Sequence, residues 1–479
     1  MSKARISDIF AFLDLVVINP KDLTDIARNP HVSSYYLDYI SLKIELGSTK
    51  FAEDLINQLE ILHFANITTA DIEALRLWLS YHSSEDFEIN PEYLSNKRYA
   101  FYCAEVAYFS DDYLLAKKYF NIALKDKQIN TFSNKSIYIP YIEFLNDTGK
   151  ARLIRKTLKK IKKIPNLTKL QLAQIEDIEG FINMCMGNYS EAINKYNRAI
   201  SIIEKTSYES IQTKFYGDFS YLYILVGDYE KALQYNSLNL DYCKAKNLYN
   251  GLAVSHHYRG LICFLSGQYN EAYKYFSIGL MYSDYAKNKW RNIALRLNCL
   301  LLPYSLKNVE LFDLSSLVDD IESIDSGDLK AYAYSLLSLV YYFNFKDVQK
   351  AKSYLKIAKT YENDCNEEEE RKLINNIELL INNKQLHNKK SNCYSTKLIL
   401  ALQDIHAKGE ELSTVVPFRE FDLGDIYLTK ILPSCAVDIF EYASDPETTK
   451  YMIWETHKSL LDTFSFIEGA LKKEIETSY

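Results

Sequence analysis

The chain has 479 residues, a formal net charge of −7, 14 glycines and 9 prolines. The acidic balance argues against a general affinity for nucleic acid or for an anionic membrane. The chain shows neither a secretion signal nor a long uncharged apolar run, and its eight cysteines form no CxxC pair. We therefore expect a soluble cytoplasmic protein that holds no metal or cofactor.

The N-terminal stretch, 1–32, is predicted to form a helical cap. The alternative is a DNA-binding helix-turn-helix, which the segment after Pro20 faintly resembles. Pro30 and His31 stand where that family has an apolar residue and glycine, and Ser33 to Glu45 contains one lysine and no arginine. Phosphate contact and base reading need arginine, lysine or amide side chains, so the sequence argues against DNA binding.

A repeat array is predicted over 33–383, and its clearest part repeats one pattern at a spacing of 40 residues. Each copy has a helical run, a glycine, a tyrosine two residues later and an alanine five residues later. The glycine ends the first helix because it takes a left-handed backbone without steric cost. The small alanine lets two helices approach closely. The three copies contain Gly187, Tyr189 and Ala192; Gly227, Tyr229 and Ala232; and Gly267, Tyr269 and Ala272.

This pattern resembles the tetratricopeptide repeat (TPR). One copy matches the family at six positions, which are Gly180, Gly187, Tyr189, Ala192, Tyr196 and Ala199. The resemblance implies an all-α, right-handed superhelix of stacked helical hairpins. The unit is longer than the common TPR, as in the extended TPRs of bacterial regulators. The clearest repeats are 97–125, 173–206, 213–246 and 253–286.

Beyond the clear repeats, the pattern predicts helices at 291–306 and 309–324. The polar stretch 384–393 is the predicted linker. The segment 394–479 does not repeat and is predicted to be an irregular helical region, with a long closing helix from Pro446 to Ile475. This region is either a cap or a small module with its own partner.

The sequence contains no phosphate-binding, dinucleotide-binding, zinc-protease or nucleophile-elbow motif, so we expect no enzyme. One alternative is an enzyme hidden in the C-terminal region. Its polar residues would be Glu410, Glu411, Arg419, Asp422 and His457. A basic stripe at 150–169 is expected to be a solvated helix face, or else a contact for an acidic partner, nucleic acid or another copy of the chain.

The TPR resemblance implies that ligands lie on the concave surface, which the first helix of each hairpin lines. The function predicted is therefore that of a non-catalytic adaptor or regulatory subunit that binds a protein or peptide there. An alternative is a peptide-responsive sensor that relays a change of superhelix shape to 394–479. Self-association is left open. The matching groove positions are Asp177, Phe181, Met184, Lys214, Tyr221, Ile224, His257, Leu261 and Phe264.

Overall fold

The computed structural model describes a defined set of residues. These are 13, 30–125 without 46, 65, 84 and 111, 138–147, 151–162, 169–204, 209–302, 314–382 without 366, 393–408, 421–422, 427–428, and 435–476 without 451 and 453. Most of the predicted N-terminal cap and of the predicted linker therefore lies outside the described residues.

The first half of the chain forms helices that follow one another in antiparallel pairs. They are α1 (Pro30–Glu45), α2 (Thr49–Leu62), α3 (Thr69–His82), a 3₁₀ turn (Pro91–Ser95), α4 (Lys97–Phe109), α5 (Tyr113–Ala123), α6 (Tyr138–Asp147), α7 (Ala151–Ile161), α8 (Lys169–Cys185), α9 (Tyr189–Ile203), α10 (Glu209–Val226), α11 (Tyr229–Ala245), α12 (Tyr249–Leu265) and α13 (Tyr269–Tyr285).

The second half continues with α14 (Lys289–Leu301), α15 (Leu314–Glu322), α16 (Gly327–Phe343), α17 (Val348–Thr360), a 3₁₀ turn (Glu362–Asp364), α18 (Glu368–Ile381) and α19 (Tyr394–Ala407). Two short strands, β1 (Phe421–Asp422) and β2 (Tyr427–Leu428), precede α20 (Ala436–Ala443), α21 (Pro446–Thr449) and α22 (Leu460–Glu476). The strands pair antiparallel, with Phe421 opposite Leu428.

The predicted hairpin turns form at the repeated glycines. Gly187, Gly227 and Gly267 have φ values of 74°, 79° and 79°, in the left-handed region that favours glycine. The helix after the second turn is capped by Asp228, whose Oδ1 accepts a hydrogen bond from the amide of Lys231. The sequence therefore specifies both the end of one helix and the start of the next.

The small residues of the motif lie where helices cross. Ala192, Ala232 and Ala272 have no exposed surface, and the ring of Tyr196 packs directly over Gly180. Each hairpin also packs on the next, because α11 contacts α12 and α13 contacts α14. Stacking of this kind buries a continuous core. The predicted all-α solenoid of helical repeats is confirmed.

Several predicted bounds were wrong. The helix predicted at 291–306 ends at Leu301, close before Pro303, and the helix predicted at 309–324 ends at Glu322. Its predicted start at 309 lies outside the described residues. The long closing helix is two helices, α21 and α22. The chain breaks between them because Oδ2 of Asp462 accepts hydrogen bonds from the amides of Lys458 and Ser459, which starts a new helix. The two-residue strands were not predicted.

The C-terminal helices α20 and α22 pack against the repeats. Ile439 and Phe464 join an apolar cluster with residues of α11, α12 and α13, including Leu252 and Tyr282. Lys244 on α11 forms a 2.9 Å ion pair with Glu468 on α22. Within the described part of the chain, no helix is long and apolar enough to cross a membrane.

Candidate binding site on the inner face

Helices α18 and α19 lie against the first helices of several hairpins. We call that surface the inner face; it is formed by α8, α10, α12, α14 and α16. Helix α19 contacts α10, α12 and α16, and its apolar stripe has no exposed surface. The stripe consists of Leu398, Ile399, Leu402 and Ile405. Full burial stabilises each such side chain by about 1.5–3 kcal/mol, so α19 is part of the folded core.

Tyrosine hydroxyls near the inner face hold the carboxylates of this segment. Tyr221 donates a 3.0 Å hydrogen bond to Oε2 of Glu367, and Tyr189 donates one of 3.0 Å to Oε1 of Glu369. At the other end, Tyr269 donates to Oδ2 of Asp404 at 2.8 Å. Hydrogen bonds to a charged acceptor are stronger than neutral ones.

The electrostatics of one such pair show how these contacts are tuned. Burial raises the pKa of Tyr189, and the charge of Glu369 raises it further. Burial also acts to raise the pKa of Glu369, but hydrogen bonds from the Cys393 thiol and the Ser395 amide outweigh it and leave the pKa lowered. The tyrosine therefore stays protonated while the carboxyl stays ionised, which is the state that the hydrogen bond needs.

Four tyrosines interact electrostatically with Glu367 and form a group that we call the tyrosine chamber. Its members are Tyr221, Tyr258, Tyr332 and Tyr394. The rings of Tyr221 and Tyr258 stack with centroids 5.4 Å apart. The hydroxyls of Tyr332 and Tyr394 lie 3.4 Å apart. The charge of Glu367 acts on the pKa of all four.

Arg291 reaches the chamber from α14. Its guanidinium lies 5.6 Å from the ring centre of Tyr258, and Nη1 lies 2.6 Å from Nδ1 of His257. Burial, and then the charge of Arg291, hold the pKa of His257 well below its usual value. The imidazole is therefore neutral. Because a guanidinium can only donate, Nδ1 accepts this hydrogen bond.

The structure places most of the predicted groove residues in the core rather than on an open surface. Met184, Ile224, Leu261 and Phe264 belong to the cluster that also contains α19. Asp177 and His257 are buried as well, whereas Phe181 and Tyr221 are partly exposed. The side chain of Lys214 lies outside the described residues. The repeat pattern did not predict that the chain's own helices α18 and α19 would cover this face.

Sequence reasoning missed Tyr258, Arg291, Tyr332 and Tyr394. Glu367 and Glu369 belong to an acidic run at 362–370, which as a sequence indicates a helix start or a contact for a basic partner. In the structure, tyrosine hydroxyls donate hydrogen bonds to these two carboxylates. The 40 tyrosines in the composition were the available signal, because a hydroxyl on a ring suits a half-buried polar contact.

The alternative enzyme site is not assembled within the described residues. Glu410, Glu411 and Arg419 lie outside them, and Asp422 lies in β1. His457 is buried, with Nδ1 2.9 Å from the hydroxyl of Thr463. In the basic stripe, α7 exposes Lys156, Lys159 and Lys160 and buries Ile154, Leu158 and Ile161, which is an amphipathic helix.

One side-chain group has the composition of a metal site. Ligand atoms of Asp328, Cys365 and Glu370 lie within 4.8 Å of one another. Burial raises the pKa of Glu370 well above its usual value, and Asp328 raises it further. Burial likewise raises the pKa of the Cys365 thiol to about 12. A raised pKa favours the protonated form of Glu370, in which its carboxyl can donate a hydrogen bond to Asp328.

No family model and no curated protein matches the chain. It is similar to the solved structure of the Rap conjugation gene regulator of plasmid pLS20 in complex with the Phr* peptide. The identity is 14%, the TM-score is 0.46, and the match covers 69% of this chain and 94% of that one. It is also similar to a Rap protein complexed with Competence and Sporulation Factor, at 14% identity and a TM-score of 0.43, over 92% of this chain and 97% of that one. These values are too low to indicate a ligand for this chain.

Proposed function

We propose that the chain is a non-catalytic, cytoplasmic TPR-type repeat protein that binds a peptide or protein segment on its inner face. It would act as an adaptor or a regulatory subunit. The observation that carries this proposal is that a segment of the same chain already packs against the inner face. Helices α18 and α19 lie on it through a buried apolar stripe and tyrosine-to-carboxylate hydrogen bonds.

Part of the inner face stays accessible beside those helices. Phe181 on α8, Tyr221 on α10 and Tyr258 on α12 are all partly exposed. Aromatic rings of this kind are good anchors, because they offer a large contact area at a low entropic cost. We infer that a partner uses this accessible strip.

Site-specific photocrosslinking tests the proposal in the full chain. A benzophenone amino acid replaces Phe181 or Tyr258 on the inner face. The matched control replaces Leu114 on α5, which is 72% exposed. We expect one partner, identified by mass spectrometry, to be crosslinked from both inner positions and not from the control. Equal crosslinking from Leu114, or no crosslink from either inner position, would contradict the proposal.

The sensor alternative is favoured because contacts at the inner face join parts of the chain that lie far apart in sequence. The hydrogen bond between Tyr189 and Glu369 joins residues 180 positions apart in the chain. A partner that loosens this contact would free α18 from α9. Solution scattering with and without the crosslinked partner distinguishes the two functions, because a sensor changes its radius of gyration and a static adaptor does not.

A further inference from the structure

Arg291 is a charged residue that has no anionic partner in the part of the chain that the structure describes. Among the described residues, no carboxylate oxygen lies within the 4.0 Å of an ion pair with Arg291, and its Nε is buried without a hydrogen-bond acceptor. A buried donor that stays unsatisfied destabilises the folded state, and the cost is larger when the donor is charged. In folded proteins, a buried donor of this kind normally has a hydrogen-bond acceptor.

The contacts of Arg291 orient its guanidinium without neutralising it. His257 accepts a hydrogen bond from Nη1 as a neutral imidazole, and the ring face of Tyr258 lies 5.6 Å from the guanidinium. Neither residue carries a negative charge in this state. The side chain is thus held in place, in a partly desolvated surrounding, with its full positive charge available.

The chamber beside Arg291 already accommodates one carboxylate. Glu367 accepts the 3.0 Å hydrogen bond from Tyr221, and both Glu367 and Arg291 act electrostatically on Tyr258 and Tyr332. The chamber therefore combines hydroxyl donors, a guanidinium and aromatic walls around a resident anion. A carboxylate is the ligand for which a guanidinium and hydroxyls are suited.

We propose that the tyrosine chamber and Arg291 form a carboxylate-binding subsite of the inner face, which Glu367 shields in this structure. The inference rests on the proposed function and specifies its partner, which is a segment that presents an aspartate, a glutamate or a C-terminal carboxylate. The partner's carboxylate binds Arg291, and the negative charge of Glu367, which forms no ion pair with Arg291, opposes the entry of that carboxylate.

Calorimetric titration of the full chain tests the subsite. The ligand is acetyl-tetraglutamate amide, and acetyl-tetraglutamine amide is its uncharged control. Because Glu367→Gln removes the resident charge, we expect that variant to bind tetraglutamate at least about tenfold more tightly than the wild type does, a difference of about 1.4 kcal/mol. We expect no binding of tetraglutamine amide.

A second variant identifies the residue responsible. Adding Arg291→Gln to the Glu367→Gln variant should abolish tetraglutamate binding. Adding Arg259→Gln instead is the control and should leave binding intact, because Arg259 on α12 lies over the ring of Tyr275. Circular dichroism checks that each variant is folded. Acetyl-tetraglutamine with a free C-terminus then distinguishes a terminal carboxylate from a side-chain carboxylate.

The possible failures are distinguishable. Absence of tetraglutamate binding to the Glu367→Gln chain, or unchanged binding after Arg291→Gln, overturns the subsite. If a partner still crosslinks from Phe181 in the Arg291→Gln chain with unchanged yield, the inner face binds a partner without this subsite. In that case the proposed function stands and the carboxylate inference fails.

Discussion

The hydroxyl of Tyr221 donates a 3.0 Å hydrogen bond to Oε2 of Glu367, 146 residues later in the chain. This contact joins the first helix of a central repeat to the start of α18. Tyr221→Phe keeps the ring and removes only the donor, which leaves a partly buried carboxylate with one hydrogen bond fewer. We expect the free energy of unfolding to fall by about 1.5–3 kcal/mol. Urea unfolding measures it, and Tyr442→Phe, at a residue that is 43% exposed, should change it by less than about 0.5 kcal/mol.

Phe264 is a core residue rather than an open groove residue, since only 2% of it is exposed. Phe264→Ala should therefore lower the free energy of unfolding by about 3–5 kcal/mol through loss of burial and formation of a cavity. Phe181→Ala, at a partly exposed ring, should cost clearly less. Thermal unfolding of both variants checks this, and equal losses would show that the two rings are equally buried.

Gly180 provides the close approach between α8 and α9. A Cβ at this position would lie 2.7 Å from Cδ1 of Tyr196, so Gly180→Ala should destabilise the protein by about 1–3 kcal/mol through overpacking. Gly469 in α22 is the matched control, because a Cβ there meets no heavy atom within 4 Å among the described residues. Gly469→Ala should be neutral or stabilising by up to about 1 kcal/mol. The reverse order of the two melting temperatures would refute this account of the motif glycine.

Asp38 and Arg98 form a buried ion pair between α1 and α4, at 2.8 Å and with side chains 6% and 7% exposed. Asp38→Asn removes the carboxylate that pairs with this buried guanidinium and should cost about 3–5 kcal/mol. Asp86→Asn breaks a pair with Lys287 whose side chains are 98% and 71% exposed, and should cost at most about 1 kcal/mol. Denaturant unfolding of both variants compares the two costs, and similar values would contradict the difference in burial.

His406 on α19 gives the protein a dependence on pH. Burial, and then the charge of Lys346, lower the pKa of His406 from 6.5 to about 4. Between pH 6.5 and about 4, His406 therefore binds a proton in the unfolded chain but not in the folded chain. The stabilisation from neutral His406 is complete above pH 6.5 and is lost as the pH falls towards about 4.

The variant His406→Phe isolates this contribution, since a phenyl ring can still stack on Phe343, whose ring centre lies 5.2 Å away. Between pH 6.5 and 4, the unfolding free energy of this variant should fall less steeply with pH than that of the wild type does. The difference in slope corresponds to the uptake of up to one proton on unfolding. His257 keeps its own contribution of the same sign. Identical slopes in the two proteins would show that His406 does not couple folding to pH.

The residues of the repeated motif were sufficient to predict the hairpins. A glycine that must take a positive φ, an alanine at a helix crossing and apolar spacing of 3.6 residues act over short distances, so the sequence displays them directly. Gly227 and Ala232 therefore have the conformation and burial that were expected. The helix bounds after Leu301 were less certain, because the signature residues are missing there.

The sequence by itself determined that the chain is an all-α stack of helical hairpins, because turn chemistry and helix periodicity are local properties. Only the tertiary structure decided what covers the inner face. The contacts of Glu367 with Tyr221 and of Glu369 with Tyr189 join residues 146 and 180 positions apart. No local pattern selects such a pair, because it depends on how the stacked hairpins bring α18 and α19 back against earlier repeats. For the same reason, the lack of an anionic partner for Arg291 among the described residues could be recognised only once its neighbours in space were known.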